Sequence, residues 1–166
     1  ARADGNRERL IAALIDGNGR SVEEIIVGLY VAGAGIAEIS DRVIAPALHE
    51  IGDRWEAGKL EVYAEHRAVE QIRKALAALL ALLADPVDDA PTAVVASLSG
   101  DPYSIGLLCC ELVLRDRGWA ASMLGTGHPA TTLRAALSEL EPKLLCLGMS
   151  FMAEPADDFV STANDL

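Results

Sequence analysis

The chain has 166 residues, with 14 Lys plus Arg against 25 Asp plus Glu and a formal net charge of −11. That length suits one ordinary domain or two small ones, and 51% hydrophobic with 23% charged residues is far from the composition of a disordered tract. Aromatic residues are only 4%, which disfavours an all-β sandwich or barrel, and the acidic balance excludes a segment that grips nucleic-acid phosphates by itself.

The first eighty-odd residues read as helices punctuated by glycines. Asn6 to Asp16 carries Leu10, Ile11, Leu14 and Ile15 at helical spacing and stops at Gly17. Ser21 followed by Glu24 has the pattern of a capping box and opens a second helix through Ile25, Ile26, Leu29 and Tyr30 to Gly33. A third helix, Ile36 to Trp55, puts Ile36, Ile39, Val43, Ala47, Leu48, Ile51 and Trp55 on one side, with Pro46 kinking it. Gly58 allows the turn into a fourth helix, Leu60 to Ala84, striped by Val69, Ile72, Leu76, Leu79, Leu80 and Leu83. Four amphipathic helices with short connections predict a four-helix bundle over residues 1–84.

Asp85-Pro86-Val87-Asp88-Asp89-Ala90-Pro91 has the composition of a linker, 85–91. Beyond it the period changes. Strands are expected at Thr92–Leu98, Trp119–Leu124 and Leu144–Met149, and helices at Ser104–Arg117, Ala130–Leu140 and from Pro155 to the end. This alternation predicts a parallel sheet over 92–166, with a ligand site at the carboxyl ends of the strands, where loops 99–106, 125–129 and 150–154 converge. Three strands leave an open edge, so the sheet domain is read as incomplete, and the native chain is expected to continue past Leu166. The fold class is therefore α followed by α/β: a bundle, then a Rossmann-like, flavodoxin-like sheet.

No apolar run is long enough to span a membrane; even Leu76 to Ala84 is short. Ala1 to Gly5 lacks a signal-peptide core, and the missing initiator Met reads as a trimmed or internal fragment. Cys109, Cys110 and Cys146 are odd in number and set in apolar runs, which argues against a disulfide framework or metal cluster and for a reducing cytoplasm. The chemistry-bearing residues fall into two groups. On helix four, Glu65 is placed near the centre of the apolar stripe with His66 on its flank, and Trp55 ends the preceding helix; they form either a polar-aromatic lid or a capped bundle end. In the sheet half, Ser99-Gly100-Asp101-Pro102-Tyr103-Ser104-Ile105-Gly106 lacks the Lys of a P-loop and the spacing of a dinucleotide loop, which disfavours nucleotide hydrolysis.

Taken together, Pro46-Ala47-Leu48, Ile51-Gly52, Trp55, Gly58 and the W-x9-E-H pattern of Trp55, Glu65 and His66 resemble the cobalamin-binding regulatory modules of MerR-type transcriptional photoreceptors, the CarH and LitR group. The resemblance covers nearly the whole chain. It implies that Trp55 packs over the upper face of the corrin, that Glu65 and His66 help enclose an adenosyl group, and that the ligand lies between bundle and sheet. In the sheet half Gly118-Trp119, Leu124-Gly125 with Pro129, and Ser150-x-Met152 resemble the family pattern, and Gly125 and Ser150 are thereby implied to line the slot for the dimethylbenzimidazole tail. The family loop D/E-x-H-x-x-G corresponds here to Asp101, Tyr103, Ser104 and Gly106, with Tyr103 where the cobalt-ligating His belongs. A neutral imidazole is a good nitrogen donor, whereas a phenol, with an ordinary pKa of about 10, is a poor one. Of the other histidines, His128 is expected in an exposed loop and His49 on an outer helix face.

The resemblance thus implies a non-enzymatic, cobalamin-sensing domain of a light- or cobalamin-responsive transcriptional regulator. It would bind adenosylcobalamin without His ligation, act through bundle packing and homo-oligomerisation, and meet DNA only through a segment outside this chain. The rivals are a corrinoid carrier subunit for methyl transfer and a degenerate module that takes another tetrapyrrole or a protein partner.

Overall fold

The computed structural model describes residues 2–150 and 156–166, and the chain divides into two compact units, Ala1–Leu83 and Ala84–Leu166. In the first unit, helices α1 (Arg2–Asp16) and α2 (Gly19–Val31) precede a rod over 36–56 built from α3 (Ile36–Ile39), a π-helical turn (Ser40–Ile44) and α4 (Ala45–Glu56); α5 (Val62–Leu80) completes a four-helix bundle. Leu10, Leu14, Ile26, Ile39, Ile51, Ile72, Leu76 and Leu79 are fully buried at its centre, and each such side chain stabilises by about 1.5–3 kcal/mol relative to exposure.

Three local expectations are corrected here. The N-cap of α2 is Asn18, whose side chain accepts from the Ser21 amide at 3.1 Å; Ser21 is therefore inside the helix and caps nothing. Pro46 lies not inside one continuous α-helix but just after the π-helical turn, in which the Ala45 amide reaches back to the Ser40 carbonyl. Proline has no amide for the i−4 carbonyl and its ring crowds that group, so a wider turn just before Pro46 relieves the conflict. The fourth helix ends at Leu80, four residues short of Ala84.

Two of the connections explain how site residues are held. The Gly58 amide bonds the Trp55 carbonyl at 2.9 Å and that of Lys59 bonds Arg54 at 2.8 Å. This is a Schellman closure whose left-handed residue, Gly58 at φ 65°, sets Trp55 in the last turn of α4. Across the bundle, Arg67 of α5 donates to the Ile15 carbonyl at 2.8 Å, satisfying the C-terminal end of α1, and its guanidinium lies 5.9 Å from the Tyr63 ring.

The second unit is a three-stranded parallel sheet of order β2-β1-β3: β1 is Thr92–Leu98, β2 Ala120–His128 and β3 Leu144–Gly148. Helices α6 (Ile105–Asp116), α7 (Ala130–Leu140) and α8 (Ala156–Asn164) alternate with the strands. Central β1 is buried from Ala93 to Ser97, as expected of a parallel strand covered on both faces. The predicted ends of β1 and α7 coincide with the observed ones, but β2 runs four residues beyond Leu124 and absorbs 125–128, which the sequence pattern assigns to a loop. Loop positions 151–154, Met152 among them, and Pro155 lie outside the described residues.

Strand β2 extends because it is bulged. Val95 pairs with Met123 but Ala96 with Gly125, and Leu98 then pairs with His128, so β2 carries an extra residue at two successive steps. Gly125 and Gly127, at φ 108° and 72°, supply the left-handed backbone that such bulges require. Where α6 meets β3 the fit is close: a Cβ on Gly148 would lie 2.3 Å from a Leu107 methyl, and Leu107 is buried. No helix among the described residues is long and apolar enough to cross a membrane.

Candidate functional site

In a parallel sheet of order 2-1-3, the connections leaving β1 go to one side and those reaching β3 to the other, so a crevice opens at the carboxyl ends of β1 and β3. The residues there are drawn together by one carboxylate. Asp101 is 5% exposed; its Oδ1 accepts from the Tyr103 amide at 2.9 Å and its Oδ2 from the Ser150 amide at 2.5 Å. The loop after β1 and the loop after β3 are thus tied to a single side chain. Two backbone donors on an ionised carboxylate make charge-assisted bonds, stronger than neutral ones.

The bulged end of β2 joins the same assembly through Ser97, which the sequence reading passes over. Its side chain is fully buried, donates to the Asp101 carbonyl at 3.0 Å and accepts from the Gly127 amide at 3.1 Å. A lone serine at the end of an apolar strand due to be covered on both faces was the available signal, since a buried hydroxyl needs partners. His128 is a further correction. It is half-buried in β2, with Nε2 3.1 Å from the Leu124 carbonyl and, for that contact, acting as the donor. Ser97 and His128 therefore serve the two bulges of β2, one satisfying an amide and the other a carbonyl.

The remaining sheet-unit residues stand at the rim. Tyr103 is 57% exposed; Ser104 precedes α6 without a side-chain capping bond; and a Cβ on Gly100 or Gly106 would meet nothing. These glycines leave open room beside the loops, a cradle that a flat ligand can approach closely. Tyr103 offers an oxygen where the resemblance puts an imidazole, and the donating nitrogen of His128 is engaged by Leu124. The loops therefore leave open space beside Gly100 and Gly106 and supply no nitrogen ligand from position 103.

In the bundle unit, Glu65 Oε2 lies 3.4 Å from His66 Nε2. Glu65 is half-buried but not central: the buried face of α5 runs through Ala64, Ala68, Gln71, Ile72, Ala75, Leu76 and Leu79, which puts Glu65 on its flank. His66 is exposed, as is His49. Trp55, at 45%, joins Val62 and Tyr63 as large exposed hydrophobic residues around the α4 to α5 turn. An indole left that open, with a carboxylate and an imidazole on the following helix, is an unfilled aromatic and polar surface.

The cysteines take no visible part in this site. No disulfide joins any of the three, and burial pushes the Cys110 thiol up to about 11, with the neighbouring Cys146 adding to the effect; a thiol so placed is a poor nucleophile. Among the described residues no group of three or more His, Cys, Asp or Glu is arranged to hold a metal ion.

A helical bundle together with a parallel Rossmann-like sheet is the fold also seen in a solved corrinoid protein, and residues 6–80 match the family described as B12 binding domain. The chain is 35% identical over 127 residues to the HTH-type transcriptional repressor CarH of Myxococcus xanthus, a match that takes in 76% of this chain and 41% of the repressor. It is 34% identical over 126 residues to the HTH-type transcriptional repressor CarA of the same organism, covering 75% of this chain and 41% of that one. The chain therefore spans 41% of the length of the curated relatives it matches. Among solved structures, the monomethylamine corrinoid protein of Methanosarcina barkeri superposes with a TM-score of 0.72 over 98% of this chain and 78% of that one, at 17% identity, a likeness of fold.

Proposed function

We propose that the chain is the ligand-sensing module of a transcriptional regulator, that it binds a cobalamin with an adenosyl upper group, and that it carries out no turnover of its own. The observation that carries the reading is the B12 binding domain match across residues 6–80, the stretch that holds the exposed Trp55 and the Glu65–His66 pair. Kinship to two HTH-type transcriptional repressors supports the regulatory role. The sheet unit contributes the cradle: Asp101 orders the loops that carry Tyr103 and Ser150, while Gly100, Gly106 and Gly125 let the backbone approach the ligand. When bound, the cofactor supplies a photolabile or exchangeable group on its upper face. The chain's part is to bind the corrin, cover that group with Trp55, Glu65 and His66, and convert its presence or loss into a change in bundle packing and self-association. DNA contact belongs to a segment outside this chain.

The lower coordination follows from position 103. With a phenol there, position 103 would offer no nitrogen donor to cobalt, and a bound cobalamin would be expected to show a base-on spectrum. The test is to mix the purified chain with adenosylcobalamin in the dark, remove free ligand and record the visible spectrum. Retained colour with a base-on spectrum is expected, and the Tyr103→His variant should shift it to base-off. A base-off spectrum in the parent overturns the lower-ligand assignment, and no retained colour with any cobalamin overturns the cofactor reading altogether.

A further inference from the structure

Helix α6 lies close on β3. Cα atoms of the two elements approach within 8 Å, and Leu107 presses on Gly148 so tightly that a Cβ there would not fit. Because α6 connects two parallel strands, it runs against their direction. From the Leu107–Gly148 contact, three residues along α6, about 4.5 Å, lead to Cys110 on the same face. Two residues back along β3, about 6.6 Å, lead to Cys146, again on the same face. The shared phase sets the two half-buried thiols opposite each other. After burial, the strongest influences on Cys110 are the charge of Cys146 and a hydrogen bond between the two thiols, so the sulfurs are within reach. Cys109, one residue back, is turned about 100° from that line.

We propose that Cys110 and Cys146 form an oxidation site, at which hydrogen peroxide converts the two thiols into a disulfide that staples α6 to β3. Burial holds the proton on Cys110, pushing its pKa up to about 11, so Cys146 reacts first. Its thiolate attacks one peroxide oxygen and the O–O bond breaks. Cys146 becomes a sulfenic acid, and the other oxygen leaves as hydroxide, which takes up the proton Cys146 had released and becomes water. The Cys110 sulfur then attacks the Cys146 sulfur. An S–S bond forms, the S–O bond breaks, and hydroxide departs with the Cys110 proton as water. The two thiols lose two electrons between them, and one peroxide is reduced to two waters. A thiol reductant reverses the modification.

The test exposes the reduced whole chain to hydrogen peroxide and digests it with trypsin in the absence of reductant. Cleavage after Arg115 and Lys143 leaves Cys109 and Cys110 on one peptide and Cys146 on another. The expected product is the linked pair, undone by dithiothreitol, with fragmentation placing the bond on Cys110, a reading that needs no variant. Cys109→Ser should form the link within about twofold of the parent's rate, and Cys110→Ser at least about tenfold more slowly. In Cys110→Ser the sulfenic acid left on Cys146 should be trapped by dimedone. In urea, where no helix aligns the sulfurs, the two variants should link at about equal rates. A bond on Cys109 in the parent, folded variants that differ by less than about twofold, or no intramolecular link each overturn the site.

Discussion

Asp101→Asn removes one oxygen acceptor from a side chain that uses two. In the native loop, Oδ1 takes the Tyr103 amide at 2.9 Å and Oδ2 the Ser150 amide at 2.5 Å, in a setting 5% exposed. An amide side chain has a single acceptor oxygen, and in either orientation its NH2 group faces a backbone N–H, donor against donor. A hydrogen bond to a charged group contributes about 1.5–3 kcal/mol, and leaving its buried partner unsatisfied costs about 1–3 kcal/mol. Since the second bond survives in weakened, uncharged form, the expected loss is about 2–4 kcal/mol, confined to the sheet unit. The chain has two tryptophans, so a Trp55→Phe background leaves Trp119 as the fluorescent reporter of that unit during urea unfolding. Hydrogen exchange at the Ser150 amide should quicken in parallel. A loss below about 0.5 kcal/mol, within the range of ordinary surface substitutions, would refute the claim that this carboxylate organises the two loops.

Two further outcomes follow from the packing. Gly17→Ala should destabilise the bundle by about 1–3 kcal/mol, because Gly17 sits at φ 71° and an added Cβ would lie 2.6 Å from Cζ of Arg67; in an Arg67→Ala background the steric part should vanish from the thermal melt. Burial raises the Cys110 thiol from an ordinary value of 9.0 to about 11, so the folded chain retains that proton where the unfolded chain has lost it. Stability is therefore full below about pH 9 and declines as pH rises towards 11; denaturant midpoints across that window, compared with Cys110→Ala, should show the difference.

Much of this architecture is written in local pattern. The bundle helices announce themselves through stripes such as Ile72, Leu76 and Leu79, and β1 through an apolar run that ends at a polar turn. The site is only half legible, for a physical reason. Glu65, His66 and Trp55 stand out because polar and aromatic groups beside an apolar stripe are anomalous within one helix. Ser97 and His128 do not stand out, since their partners are 30 and 4 residues away and exist only because β2 bulges against β1. Asp101 lies between: its residue type marks a loop, whereas its bond to Ser150, 49 residues on, depends on the order of strands in the sheet.

The π-helical turn at Ser40–Ile44 has a consequence for the phase of the rod. An α-helix advances about 100° per residue, and a π-helical turn takes up one residue more than an α-helical turn before resuming. Everything downstream, Trp55 included, is therefore presented about 100° away from where an uninterrupted helix of the same length would aim it. Deleting one residue between 40 and 44 would let this turn close as an ordinary α-helical one and leave the indole on its face, whereas a deletion elsewhere in the rod, with the π-helical turn kept, would swing it by about 100°. A relative with one residue fewer in this turn would carry the same tryptophan on the same face, without the π-helical turn.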